Sequence, residues 1–258
     1  YIFIMNGNEK KIWITGASSG IGKALAIKFA NHGWKVAASA RRENLLNDLR
    51  KSNPNIFPFP LDVKDEKLTQ NVFKNILEKF KSLDICVFCT GIHDPESEMK
   101  LSSEKIREIM ETNFFGTLNS VMAVSDYFRE RKNGHISIVS SVAGYRGLPA
   151  ASGYCASKSA LISLAESLYF DFKRHNVRVS VVNPGFIKTP MTDKNKFPMP
   201  MIKSAEFAAE KMFIGLTKKN AFEIHFPIAF TMMMKLLKIM PNWLYLLLLR
   251  KGMKTITR

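Results

Sequence analysis

Lys11-Ile12-Trp13-Ile14-Thr15 runs directly into Gly16-Ala17-Ser18-Ser19-Gly20-Ile21-Gly22. The first five residues read as a short strand. Over 20–32 apolar residues recur at helical spacing through Ile21, Leu25 and Phe29, with Gly33 as the stop. Three glycines therefore stand at a strand-to-helix junction. Glycine reaches backbone angles closed to other residues, and its missing side chain lets a diphosphate approach the main chain. The helix that follows aims its N–H groups and positive dipole end at the same point. The spacing is G-x-x-x-G-x-G, not G-x-G-x-x-G, and the plain alternative is a glycine-rich turn without a ligand. The strand before it and the helix after it favour a cofactor loop in which Gly16, Ser18, Ser19, Gly20, Ile21 and Gly22 face the diphosphate.

Outward from this unit the chain keeps alternating. Strands are expected at 36–39, 56–61, 85–89, 136–140, 177–182 and 222–226, and helices at 43–51, 66–80, 103–111, 115–131 and 154–175. Such alternation implies an α/β fold with a mostly parallel sheet covered by helices on both faces. Ligands on such sheets bind at the carboxyl ends of the strands, near the switch point. The chain has 258 residues, no internal repeat and no Gly/Ser linker, which fits one domain over 1–227. The remainder, 228–258, is an apolar and basic extension, either part of that domain or a membrane or interface segment.

The second strand discriminates between cofactors. A site for NAD usually carries an acid at this strand end, about 20 residues on, to hold the ribose hydroxyls. Here the strand ends Ala38-Ser39-Ala40-Arg41-Arg42. Guanidinium groups pair well with phosphate, so the two arginines point to the ribose 2′-phosphate of NADP(H). The plain alternative is that Arg41 and Arg42 begin a solvated helix.

Ser140-Ser141 ends the fifth strand, and thirteen residues after Ser141 comes Tyr154-Cys155-Ala156-Ser157-Lys158. Positions i and i+4 share one helix face, so Tyr154 and Lys158 lie side by side. A free tyrosine has a pKa near 10, and a neighbouring ammonium is expected to lower it, so that the pair exchanges protons near neutrality. A lone Y-x-x-x-K is common by chance; a serine strand end before it and a phosphate loop far upstream make chance a poor account.

With these motifs assembled, the chain resembles the short-chain dehydrogenase/reductase family over about residues 9–190. The matching residues are Thr15 to Gly22, Asp62-Val63, Asn113, Ser141, Tyr154 with Lys158, and Pro184-Gly185 followed by Thr189. The resemblance implies a Rossmann-like, doubly wound parallel sheet in three α/β/α layers. It implies NADPH-dependent interconversion of a ketone or aldehyde and an alcohol. Asp62 would bond the adenine amino group beside the Val63 main chain. Ser141 would hold the substrate carbonyl and Tyr154 would protonate it. Lys158 would bind the nicotinamide ribose and tune Tyr154, and Asn113 would hold a water linking Lys158 to solvent. Thr189 and the Ile187 backbone would hold the carboxamide, and Arg41 fits members that prefer NADP. The family often has Asn-Ala-Gly after the fourth strand; this chain has Cys89-Thr90-Gly91, which keeps Gly91 but lacks the Asn side chain.

Other signals read as bland. Cys86 and Cys89, three apart on a strand, point to opposite faces and share neither a metal nor a disulfide easily. Three cysteines at irregular spacing do not form a disulfide framework, which suits a reducing, cytoplasmic setting. The five histidines show no metal pattern. Glu104, Glu108 and Glu111 read as a solvated helix face. Tyr1–Met5 is apolar but too short for a secretory signal, and Met5 is a candidate start.

The net charge is +16, and from Lys194 to Arg258 twelve Lys/Arg face three Glu. No nucleic-acid motif accompanies that excess, so no nucleic-acid partner is expected. Residues 228–249 contain Met232-Met233-Met234 and Trp243-Leu244-Tyr245-Leu246-Leu247-Leu248-Leu249, interrupted by Lys235, Lys238 and Pro241. No apolar run reaches the roughly 18 residues of a span. The segment either packs over the substrate pocket or across a subunit interface, or lies in a membrane surface with its lysines toward anionic headgroups. Either fits an apolar, lipid-like substrate, and a homo-oligomer, dimer or tetramer, is expected. The rival from another class is a non-catalytic NADP-binding or lipid-binding scaffold on the same fold. The intact Asn113, Ser141, Tyr154 and Lys158 argue against it.

Overall fold

The computed structural model describes residues 9–195 and 197–256, with side chains to residue 250; the apolar Tyr1–Met5 stretch lies outside them. Seven strands form one sheet: β1 (Lys11–Thr15), β2 (Lys35–Ala40), β3 (Ile56–Pro60), β4 (Ile85–Phe88), β5 (Gly134–Val139), β6 (Val177–Pro184) and β7 (Glu223–Phe226). Their spatial order is β3-β2-β1-β4-β5-β6-β7, and every neighbouring pair is parallel.

Alternate residues along each strand feed two cores. Ile12 and Ile14 face one layer, where Leu25 and Phe29 of α1 (Gly20–Asn31), Leu46 of α2 (Glu43–Ser52) and Met212 of α8 (Ala205–Thr217) meet them. Trp13 faces the other layer. There it joins Phe73 and Ile76 of α3 (Glu66–Phe80), Val124 and Phe128 of α6 (Gly116–Arg131), and Leu161 and Phe172 of α7 (Ser152–Lys173). Each such side chain, fully buried, contributes about 1.5–3 kcal/mol. The result is the expected single-domain, three-layer, Rossmann-like fold.

From β1 the chain steps outward to β2 and β3, then returns to β4 on the other flank of β1. The loops leaving β1 and β4 therefore part at their carboxyl ends and open a crevice there.

Several boundaries differ from expectation. β6 continues to Pro184 because Asn183 and Pro184 still pair with His225 and Phe226 of β7. The helices expected at 103–111 and 115–131 are one path: α5 (Ser103–Met110) enters α6 through a wide π-helical turn, Glu111–Phe115. The sequence reading also passed over α4 (Pro95–Met99), α8, and the tail helices α9 (Ile228–Ile239) and α10 (Asn242–Ile256). α8 and α9 are apolar around much of their circumference, which hides the helical period.

Candidate active site

Gly16 leaves β1 with φ +70°, and a Cβ there would lie 2.8 Å from the Cys89 carbonyl oxygen. Glycine thus lets the loop cross the end of β4. α1 then starts at Ser19 without a side-chain cap and without an acid in its first turn. Its N-terminal N–H groups and dipole are left for an anion. Ser18 and Ser19 instead turn their hydroxyls to Arg42, whose guanidinium donates to them at 2.9 and 3.0 Å. A cation from the end of β2 is thereby held over the loop.

One cleft collects nearly all the residues expected from the sequence. Gly16, Ser18, Ser19, Gly20, Ile21 and Gly22 line it at the loop, and Arg41 and Arg42 beside them. Asp62 and Val63 line it beyond β3, Gly91 beyond β4 and Ser141 beyond β5. Tyr154 and Lys158 face it from α7, and Pro184, Gly185, Ile187 and Thr189 close its far side. There the Thr192 hydroxyl fastens the turn, donating to the Ile187 carbonyl at 2.7 Å and accepting from the Thr189 N–H at 2.9 Å. Where the family often has Asn, Cys89 donates its N–H to the Thr15 hydroxyl at 3.2 Å, which ties the ends of β1 and β4 together. Its neighbour Thr90 lines the cleft with a buried hydroxyl oxygen that meets no partner among the described residues. An uncapped helix end, a poised guanidinium and an orphaned hydroxyl all fit a phosphate-bearing dinucleotide.

Deeper in the cleft the acid–base residues converge. The Ser140 hydroxyl donates to the Lys158 carbonyl at 2.7 Å and so pins α7 against the end of β5. Ser141 caps the following turn, accepting from the Ala143 N–H at 3.1 Å, and its hydroxyl hydrogen-bonds the Tyr154 phenol. Lys158 Nζ lies 5.6 Å from the Tyr154 ring centroid and donates to the Val139 carbonyl at 3.0 Å. The expected lowering of the Tyr154 pKa does not hold here. Burial pushes the phenol up to about 12, against the bond from Ser141, which pulls it down. Burial also brings Lys158 down to about 8. The ammonium spends its reach on a carbonyl, and desolvation penalises the charged form of both groups.

Asn113 stands behind the cleft wall, beside Gly91 and Lys158. It is fully buried in the π-helical turn and does not line the cleft. Its amide donates to the Ile92 carbonyl and to Ser157 Oγ, both at 3.0 Å, and its oxygen accepts from the Ile92 N–H at 2.7 Å. The side chain is a strut between the loop after β4 and α7. A Cβ on Gly91 would stand 3.4 Å from Lys158 Nζ and 3.5 Å from Asn113 Oδ1, so both side chains lie beside that glycine.

Two residues beside Tyr154 escaped the sequence reading. Glu98 of α4 is buried and accepts from the Tyr154 N–H at 3.1 Å, which caps the first turn of α7. It also bonds His93 Nδ1 at 2.7 Å. The His93 ring lies against the Tyr154 ring, with centroids 4.5 Å apart and planes tilted 33°. No sequence spacing marks this pair, because its meaning depends on a tertiary contact with a helix 56 residues away. Among the described residues no group of His, Cys, Asp and Glu gathers as a metal site, and all three cysteines are free.

Comparison with known proteins agrees with this geometry. The short chain dehydrogenase family profile matches residues 10–198. An uncharacterized oxidoreductase of Myxococcus xanthus is 34% identical over 236 residues, covering 90% of this chain and 93% of its own. The 3-oxoacyl-[acyl-carrier-protein] reductase FabG of Thermotoga maritima is 34% identical over 185 residues, 70% of this chain and 75% of its own. Among solved structures, ElxO with NADP bound superposes with a TM-score of 0.74 at 25% identity, over 84% of this chain and 97% of that one.

Proposed function

The chain belongs to the short-chain dehydrogenase family and is an NAD(P)-dependent oxidoreductase, and from that premise we propose that it is an NADPH-dependent carbonyl reductase in which Tyr154 is the proton donor. The observation that carries the proposal is the single cleft. It joins Arg41 and Arg42 at the phosphate loop to Ser141, Tyr154 and Lys158.

NADPH, when bound, supplies hydride to the carbonyl carbon. The uncapped start of α1 would receive the diphosphate, and Arg41 and Arg42 would answer the 2′-phosphate by charge-assisted bonds. Asp62 and Val63 would hold the adenine, while Ile187 and Thr189 would hold the carboxamide. Ser141 and Tyr154 present two hydroxyls to the substrate oxygen. Tyr154 keeps its proton across the neutral range, since burial holds its pKa near 12, and gives that proton to the oxygen as negative charge develops there. Lys158 would hold the nicotinamide ribose. ElxO, with NADP in its structure, and the reductase FabG, named for 3-oxoacyl groups, support the cofactor and the direction. The substrate is an apolar, lipid-like carbonyl compound, and assembly as a homo-oligomer is carried as part of the same proposal.

The test is oxidation of NADPH and of NADH against a panel of aldehydes and ketones that includes long-chain 3-oxo compounds and sterols, with a size measurement of the protein. Turnover with NADPH favoured over NADH is expected. Absence of turnover across the panel, or equal use of both cofactors, would overturn the proposal.

A further inference from the structure

We propose that the outer face of α9 and α10 docks on an anionic lipid surface. The inner face of this helical hairpin is already engaged. Phe230, Thr231 and Met234 are buried, and the Phe230 ring lies 5.3 Å from that of Phe186. Tyr245 is buried and donates its hydroxyl to the Gly147 carbonyl. Arg146 clamps the turn between the helices. Its guanidinium donates to the carbonyls of Leu237, Lys238 and Met240 and to the Asn242 side chain, and lies 4.2 Å from the Tyr245 ring centroid. The hairpin is thus fixed to the segment that leads into Tyr154.

The outer face has no such cover. Ile228, Met232, Leu236 and Ile239 recur at three- and four-residue steps and are exposed, Ile239 by 79%. Trp243, exposed by 70%, and Leu246, by 62%, continue the apolar surface on α10. A soluble monomer rarely leaves so much apolar surface on two consecutive helices without an occupant.

Charge identifies the occupant. Lys235 is paired inward with Glu223, and beyond it the chain holds Lys238, Arg250, Lys251, Lys254 and Arg258 and no Asp or Glu. An anionic bilayer supplies hydrocarbon for the apolar side chains and headgroup charge for the cations. A second copy meeting the same patch across a two-fold axis would oppose like charges with no carboxylate to answer them. Closure over the cleft would need the inner face, which is occupied. No helix of the described residues is long and apolar enough to cross a membrane, so the hairpin lies on the surface. The proposal stands apart from the reductase reading: a chain that reduced nothing would bind vesicles equally.

Trp243 supplies an intrinsic probe, because the other two tryptophans, Trp13 and Trp34, are buried. Full-length protein is mixed with phosphatidylcholine vesicles with and without phosphatidylglycerol. With phosphatidylglycerol, the protein should co-sediment, its emission should shift to the blue, and brominated acyl chains should quench it. Raising salt should weaken binding, as screening shortens the reach of the lysines and arginines. The double change Ile239→Asp with Leu246→Asp alters only exposed positions and should leave the melting temperature in place while lowering affinity about tenfold or more. No sedimentation with anionic vesicles overturns the proposal. Binding untouched by the double change overturns it as well. A wild-type dimer that the double change splits, without vesicle binding, would show a self-interface instead.

Discussion

Replacing Glu98 tests whether α4 governs the catalytic helix. Glu98 is 2% exposed, and its oxygens accept from the Tyr154 N–H and bond His93 Nδ1. Glu98→Ala strands both groups. A buried group left without its partner costs about 1–3 kcal/mol, so the pair sums to roughly 2–5 kcal/mol, allowing for partial relaxation. In a domain of this size each kcal/mol lowers Tm by about 2–4 °C, so a fall of roughly 5–20 °C is expected. The first turn of α7 would also lose its cap, and Tyr154 its support. A misplacement of about 1 Å at the reacting groups costs on the order of a hundredfold, so kcat should fall about ten- to a hundredfold. KM for NADPH should stay within about threefold, because the proposed phosphate groups, Arg41 and Arg42, line the cleft away from Glu98. Glu98→Gln keeps an oxygen for the Tyr154 N–H but turns an NH2 toward His93, so it should hold most of the stability and an intermediate kcat. Thermal unfolding and steady-state reduction measure all three. If Glu98→Ala melts within about 2 °C of wild type with an unchanged kcat, the loss is under about 1 kcal/mol and the reasoning fails.

Three further outcomes are expected. Tyr154→Phe should lower turnover by about 10²–10⁴-fold with NADPH binding retained by titration; near wild-type turnover would remove Tyr154 from the proton path. Arg42→Ala should weaken NADPH more than NADH, by about ten- to a hundredfold in KM ratio, since a charge-assisted bond contributes about 1.5–3 kcal/mol. Arg41→Ala should act in the same direction, and equal losses for both cofactors in either variant would make that arginine structural. Lys158 titrates at about 8 in the free protein, so its ammonium is present below that pH and lost above it. The kcat/KM for NADPH should therefore be level at lower pH and decline through about 8, and Lys158→Met should weaken the cofactor and abolish that inflection. An inflection that survives the substitution belongs to another group.

The glycine-rich strand-to-helix turn and the shared face of Tyr154 and Lys158 are legible because each is local. Gly16 to Gly22 announces a strand-to-helix turn within seven residues, and i to i+4 spacing fixes a shared face wherever the helix goes. What escaped is what tertiary contact creates. Glu98 carries no meaning until α4 meets the start of α7. The Asn113 side chain is held by Ile92 and Ser157, partners 21 and 44 residues away. Arg42 differs from Arg41 through a tertiary contact, its guanidinium over Ser18 and Ser19. The tail read as apolar with lysines, but its division into an engaged inner face and an open outer face needed Phe230, Met234 and Tyr245 in their places.

The acid–base pair shows the same dependence on environment. Spacing places Lys158 beside Tyr154, and proximity alone argues for an easily formed phenolate. Burial reverses the sign: it raises the phenol to about 12 and lowers the ammonium to about 8, so both drift toward neutrality. For carbonyl reduction this is the useful direction for the tyrosine, which must arrive carrying the proton it donates. It is the wrong direction for the lysine, whose charge is needed as the phenol gives that proton up. The two requirements are met together only below about pH 8, where Tyr154 is protonated and Lys158 still charged. Alcohol oxidation asks for the phenolate, which burial makes scarce and which the Ser141 bond favours without offsetting that burial. On the proposed assignment, desolvation holds the proton on Tyr154 until the substrate oxygen takes it, and the Ser141 hydroxyl opposes that hold.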